Sequence, residues 1–168
     1  MLTGPVLTGE DLHEQLSWHW EARLRPRLAG LTDGEAQWPP GGWTVVDKIL
    51  EGVWPTPDPA PVTTMAWRLG HLGVLLADRA SAHFGDRTWS TALPETADGL
   101  LDFVDAAYAQ WSAGVLSASS DRLGRAHQGP PGSSDERYPL WAVVLHVNAE
   151  VIHHGAEVAL LRDLYRSR

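Results

Sequence analysis

The chain has 168 residues, and its 13 Lys and Arg against 21 Asp and Glu give a formal net charge of -8. This length fits one domain over residues 1–168, and the negative charge argues against nucleic acid or an anionic membrane surface as a partner. The chain has no cysteine, which excludes disulfides, thiolate metal ligands and a cysteine nucleophile.

The amino-terminal stretch MLTGPVLTGEDLHEQ lacks the basic region and the apolar region of a secretory signal. No run of residues approaches the roughly 18 apolar positions that a membrane span needs. We therefore expect a protein that is not exported, does not cross a membrane and resides in the cytoplasm.

The first predicted helix begins after Thr8, a residue type that commonly caps helices. Large apolar residues recur along it every four positions, which is a helical spacing. They are Leu12, Leu16, Trp20, Leu24 and Leu28. Pro26 is expected to kink or end this helix, because proline lacks the backbone N–H.

Proline and glycine interrupt the stretch from Trp38 to Pro61 too often for a helix. We predict a small hairpin there, from about Trp43 to Trp54.

Three further helices are predicted in the remainder of the chain. The second is capped by Thr63 or Thr64 and ends near Gly85. The third follows Pro94, and its apolar residues alternate three and four apart at positions 101, 104, 108, 111 and 115. A loop, GRAHQGPPGSSDERYP, precedes a last helix that starts after Pro139. Four such helices predict an all-α protein: an up-and-down four-helix bundle with a long crossover through the small Trp- and Pro-rich hairpin insert.

The last predicted helix carries a histidine in its apolar row. The row consists of Leu140, Val144, Val147, Val151, His154, Val158, Leu161 and Tyr165. Glu150 precedes His154 by four residues, so both side chains project from successive turns of one face. A glutamate and a histidine in that relation can hold one metal ion.

A third ligand is expected from a facing helix, and His71 is the best candidate because Trp67 and Leu75 flank it one turn away on either side. His13, His19, His83 and His127 are poorer candidates by position. His146 lies on the polar edge of the last helix, as an alternative ligand or as a hydrogen-bond partner of one. His153 is expected to point outward.

The same residues have a structural interpretation. Glu150 with a histidine, and Glu157 with His153 or an arginine, would also make a hydrogen-bonded polar layer that fixes the register of the bundle. Arg68 and Arg79, on the helix of His71, could meet acidic groups of a ligand, but solvated surface positions are the favoured interpretation.

The segments PAPVTTMAWRLGHLGVLLADRASAHFG and HVNAEVIHHGAEVALLRDLY, with the Trp- and Pro-rich insert before the first, resemble the DinB-like superfamily of four-helix-bundle metalloproteins. Many members place one histidine on the second helix and a His-x-x-x-His pair on the last. Here Glu150 stands first in that pair, which resembles the mycothiol-dependent maleylpyruvate isomerase type. The resemblance implies the metal ligands His71, Glu150 and His154, the same three residues that spacing suggests.

The resemblance also implies an activity. The metal would be zinc, with nickel as the alternative, and a low-molecular-weight thiol such as mycothiol would react with an electrophile in an S-transferase or isomerase reaction. A homodimer is expected on the same ground. Two other functions stay open: a non-catalytic metal-binding or structural bundle, and a metal-dependent hydrolase.

Overall fold

The computed structural model describes residues 7–40, 62–85, 92–126 and 134–168. Six α-helices lie in these ranges: α1 (Gly9–His19), α2 (Asp33–Ala36), α3 (Met65–Phe84), α4 (Ala97–Ser117), α5 (Ser120–Gly124) and α6 (Leu140–Ser167). A π-helical turn (Trp20–Leu24) and a 3-10 turn (Arg25–Leu28) continue α1, and a second 3-10 turn (Ser134–Arg137) precedes α6. The predicted hairpin near Trp43–Trp54 lies outside the described residues.

Polar side chains begin the helices where the sequence predicts. Thr8 accepts a hydrogen bond from the N–H of Asp11, whose carboxylate bonds back to Thr8 in a capping box. Thr64, rather than Thr63, caps α3 by accepting from the Trp67 N–H. The predicted disturbance at Pro26 is present, since the proline lies in the 3-10 turn that follows the π-helical turn.

The long helices form a closed ring of contacts, in which α1 and α3 each pack against both α4 and α6. Large apolar side chains fill the space between them. The fully buried ones include Leu16, Leu24, Leu69, Leu72, Trp111 and Leu140. Leu140, Val144, Val147, Val151, Val158 and Leu161 of the predicted α6 row are all buried. The predicted all-α bundle is therefore confirmed.

The direction of one helix differs from a simple up-and-down order. Gly73 faces Phe103, and eleven residues further along α3, Phe84 meets Trp111 and Gly114. Because these contacts advance in the same direction along both helices, α3 and α4 are parallel. The four long helices therefore run up, down, down, up, and the chain returns to the opposite end of the bundle between the end of α3 and the start of α4. The sequence predicts one long crossover and places it in the Trp- and Pro-rich insert before α3, whereas the parallel course of α3 and α4 requires a crossover between these two helices.

Two short helices were not predicted. α2 begins at Thr32, whose side chain and that of Glu35 form a second capping box, and the pattern Thr-x-x-Glu is a signal for this arrangement. α5 begins at Ser119, which accepts from the Arg122 N–H. Within the described ranges, no helix has both the length and the apolar character that crossing a membrane requires.

Candidate metal centre

Two antiparallel helices bring the predicted ligands together. His71 lies in the second turn of α3, and Glu150 and His154 lie near the middle of α6. Arg68, one turn before His71, meets Glu157, one turn after His154. Contacts that advance in opposite directions along α3 and α6 place the face of His71 against that of His154.

The three side chains of the predicted site form a compact group. One ligand atom each from His71, Glu150 and His154 lies within 4.8 Å of the other two, and His154 Nε2 is 3.4 Å from Glu150 Oε2. The rings of His71 and His154 are nearly perpendicular, with centroids 4.8 Å apart. Ligand atoms around a tetrahedral zinc are separated by roughly 3.4 Å, so the donor types and their spacing fit a small divalent cation.

Packing holds both imidazoles in place. Trp67 stacks on the ring of His71 with centroids 5.3 Å apart and planes 10° from parallel. His71 is buried at 7% exposure, and the side chain of His154 is 17% exposed. Glu150, whose side chain is 33% exposed, therefore forms the open side of the group.

Burial, together with the neighbouring His71, Arg68 and His153, lowers the pKa of His154 from 6.5 to about 4, and the Glu150 carboxylate opposes this shift only in part. The imidazole of His154 is consequently neutral near pH 7. A neutral imidazole has a lone pair to donate, which is the form that binds a metal.

A second group of donors shares His154. His153, His154 and Glu157 also lie close enough to hold an ion, with His154 Nδ1 2.6 Å and His153 Nε2 3.5 Å from the Glu157 carboxylate. The side chain of His153 is 68% exposed, as the sequence predicts. Glu157 also accepts a hydrogen bond from Arg68, and this fixed positive charge makes the second group the poorer place for a cation.

Arg68 corrects one sequence-based expectation. Its side chain is only 14% exposed and forms an ion pair with Glu157, so the favoured interpretation of a solvated surface arginine is wrong. The sequence hides this contact because it joins residues 89 positions apart. Arg79 is partly buried on the same helix. His146 is exposed and belongs to neither donor group among the described residues.

A surface groove of about 660 Å³ lies elsewhere, between the α1 end of the bundle and α6. Its walls include Trp18, Arg23, Leu24, Gly155, Ala156 and Leu160. None of the three predicted ligands lines it.

A four-helix bundle that brings two imidazoles and a carboxylate together from facing helices is the class of fold in which metal sites are commonly built. The chain belongs to the DinB superfamily, whose family model matches residues 15–158. This confirms the superfamily that the sequence resembles, and membership fits a metal-binding protein. No curated protein and no solved structure matches the chain significantly, so the finer resemblance to the mycothiol-dependent maleylpyruvate isomerase type stays a prediction.

Proposed function

We propose that the protein is a zinc-dependent enzyme that uses a low-molecular-weight thiol in an S-transferase or isomerase reaction. The observation that carries this proposal is the convergence of His71, Glu150 and His154 from two facing helices. Two histidines and one glutamate are a ligand set of catalytic zinc sites, which keep one position open, whereas structural sites have four protein ligands.

The protein's own side chains would bind and orient the ion. Trp67 fixes the plane of His71, and burial keeps His154 neutral. Glu150 contributes one negative charge from the solvent-facing side. A zinc ion held this way would supply a net charge of about +1 and Lewis-acid activation of water or a thiol at neutral pH.

The thiol must be a small molecule, because the chain has no cysteine. In the proposed reaction the thiol loses its proton to solvent, and its sulfur forms a bond to an electrophilic carbon of the substrate. In a transfer, the leaving group departs with the bonding electron pair. In an isomerisation, the carbon–sulfur bond breaks again after the substrate has rearranged, and the thiol is regenerated.

The first test is elemental analysis of protein purified without chelator. We expect about one zinc per chain in the parent and none in a folded His154→Ala variant. His146→Ala is the matched control, because His146 is an exposed histidine on the same helix, and it should retain the metal. Absence of metal from the parent after incubation with zinc would overturn the proposal.

The second test concerns the reaction. Zinc-loaded protein is mixed with mycothiol, bacillithiol or glutathione and a panel of electrophiles, and the loss of free thiol is followed. We expect at least one pair to react faster than with free zinc at the same concentration, and His154→Ala to abolish the difference. Hydrolysis of an electrophile at the same rate with and without thiol would identify a metal-dependent hydrolase instead.

A second function, a metal-binding bundle without catalysis, would use the same three ligands. This alternative predicts stoichiometric zinc and no acceleration with any thiol and electrophile pair.

A further inference from the structure

The two ring nitrogens of His154 face two different carboxylates. Nε2 points toward Glu150 Oε2 at 3.4 Å, and Nδ1 lies 2.6 Å from Glu157 Oε2. An ionised carboxylate can only accept hydrogen bonds. At 2.6 Å a bare Nδ1 would repel the carboxylate oxygen, so the geometry places a ring proton on Nδ1. In the form of the ring that binds a metal, Nε2 then carries the lone pair.

Arg68 could instead favour the tautomer of His154 with the proton on Nε2. One of its terminal nitrogens lies 3.4 Å from His154 Nδ1 and could donate to it if Nδ1 were bare. The ring proton would then sit on Nε2 and point to Glu150, which would remove the lone pair from the metal side. The same Arg68 nitrogen instead has a closer acceptor in Glu157 Oε2. The distances therefore favour the chain of contacts Arg68 to Glu157 to His154.

This chain of contacts joins two helices at a partly buried position. The side chains of Arg68 and Glu157 are 14% and 33% exposed, and they come from different helices. A charge-assisted pair at this position ties the orientation of the His154 ring to the packing of α3 against α6. Groups that bond the outer nitrogen of a metal-binding histidine fix its tautomer and its orientation.

We propose that Glu157 and Arg68 are positioning residues: Glu157 holds His154 as the Nδ1–H tautomer with Nε2 directed at Glu150 and His71, and Arg68 holds Glu157. This inference rests on the proposed zinc site for its purpose, but the tautomer is a property of the metal-free protein. It also assigns the group of His153, His154 and Glu157 a structural role, in which Glu157 binds no metal.

The first experiment measures the tautomer directly. Long-range 1H–15N correlation spectra of the metal-free parent at pH 7 report which nitrogen of His154 carries the proton, with His154→Gln used to assign the signals. We expect Nδ1–H in the parent. In Glu157→Ala, Arg68 loses its carboxylate partner and can donate to Nδ1, so we expect a shift of the population toward Nε2–H. A parent in the Nε2–H form would overturn the inference.

The second experiment measures zinc affinity by competition with a chelator. Glu157→Gln should weaken binding by about 10- to 100-fold while one zinc per chain is still reached, because removal of a ligand's hydrogen-bond partner has this effect. Glu150→Gln, which alters a proposed ligand, should lose stoichiometric binding. Arg68→Met should weaken binding as Glu157→Gln does, and Arg68→Lys should recover part of the loss because it keeps the charge. His153→Ala is the control for the exposed neighbour and should bind within about twofold of the parent.

The outcomes separate the two proposals. If Glu157→Gln loses zinc as completely as Glu150→Gln, Glu157 is a ligand and the inference is wrong. Equal affinity in the parent and Glu157→Gln would also overturn it. If the parent binds no zinc, the proposed function fails, and the tautomer of His154 in the parent and in Glu157→Ala still decides the positioning role. Circular dichroism of each variant shows whether it is folded, and Arg68→Lys replaces Arg68→Met where the latter is not.

Discussion

Helix α6 contributes to two polar clusters that differ in how their charges are paired. One is the candidate metal centre on the face of Glu150 and His154. The other, which we call the Arg162 anchor, lies two turns further along and consists of Arg162, Glu35 and the backbone carbonyls of Arg27 and Ala29.

The Arg162 anchor satisfies its own charges. The Arg162 side chain is 2% exposed, and its three nitrogens donate to Glu35 at 3.2 Å, to Ala29 O at 3.0 Å and to Arg27 O. Glu35 also accepts from the backbone and the side chain of Thr32. The charges and most of the hydrogen-bonding groups of this buried ion pair are thus satisfied by protein groups. Its role is to tie α2 and the end of the first helical segment to α6.

The charges of the candidate metal centre are paired differently. His154 Nε2 and the Glu150 carboxylate are electron-pair donors that face each other at 3.4 Å, and His71 lies in the same group. The neighbouring cation Arg68 is bonded to Glu157 on the far side of the His154 ring. This difference indicates that a polar cluster whose charges are paired within the protein fixes the fold, whereas electron-pair donors that face each other, as Glu150 and His154 Nε2 do, fit a cation between them.

Removal of Arg162 should cause the largest loss of stability. Arg162→Ala leaves Glu35 buried without its main partner, so we expect it to lower the free energy of unfolding by about 3–5 kcal/mol. Urea unfolding in chelator-containing buffer measures this. Arg166→Ala is the matched control: Arg166 lies 3.4 Å from the same carboxylate, but its side chain is 58% exposed, and its loss should cost about 1 kcal/mol or less.

If Arg162→Ala and Arg166→Ala lower the free energy of unfolding by similarly small amounts, the stabilising role of the Arg162 anchor is contradicted. Zinc content gives a second readout, because the anchor touches none of the predicted ligands. A folded Arg162→Ala protein should bind zinc with the affinity of the parent.

The Arg162 anchor also shows what the sequence could not predict. Asn148, Gly155 and Arg162 are buried at seven-residue intervals on α6, where they meet Leu12 O, Leu24 and Arg27 O on the first helical segment. These residue types normally indicate a surface, so hydrophobic periodicity misses this second buried face. Each position is explained only by a backbone or side-chain partner more than 100 residues away.

The candidate metal centre was easier to predict, because its signal is local. A histidine in an apolar row, with a glutamate one turn before it, is visible in the sequence of α6 alone. His71 could be proposed as the third ligand because it is a histidine among apolar residues of another predicted helix. The tie between Arg68 and Glu157 could not be predicted, because it depends on the antiparallel register of α3 and α6.

Zinc should stabilise the folded protein through the candidate metal centre and not through the Arg162 anchor. If zinc binds the folded chain and not the unfolded one, a free concentration 100 times its Kd raises the free energy of unfolding by about 2.7 kcal/mol. Urea unfolding with and without zinc measures this difference. His154→Ala should show no stabilisation, and Arg162→Ala should keep the full increment. Stabilisation of the His154→Ala variant would place the zinc site elsewhere.

Acid provides the smallest and most local test. Burial alone would raise the pKa of Glu35, but the hydrogen bonds from Arg162 and Thr32 and the charges of Arg162 and Arg166 outweigh it, so its pKa in the folded protein lies below 4.5. A carboxylate with a depressed folded pKa stabilises the protein above its unfolded pKa, and this contribution is lost as the pH falls through the folded value. The stability difference between the parent and Glu35→Gln, measured by urea unfolding in chelator, should therefore be constant near neutral pH and should shrink below about pH 4.5. Because the candidate metal centre holds no zinc under these conditions, a difference that persists unchanged to pH 3 would mean that the Glu35 carboxylate does not stabilise the fold through its charge.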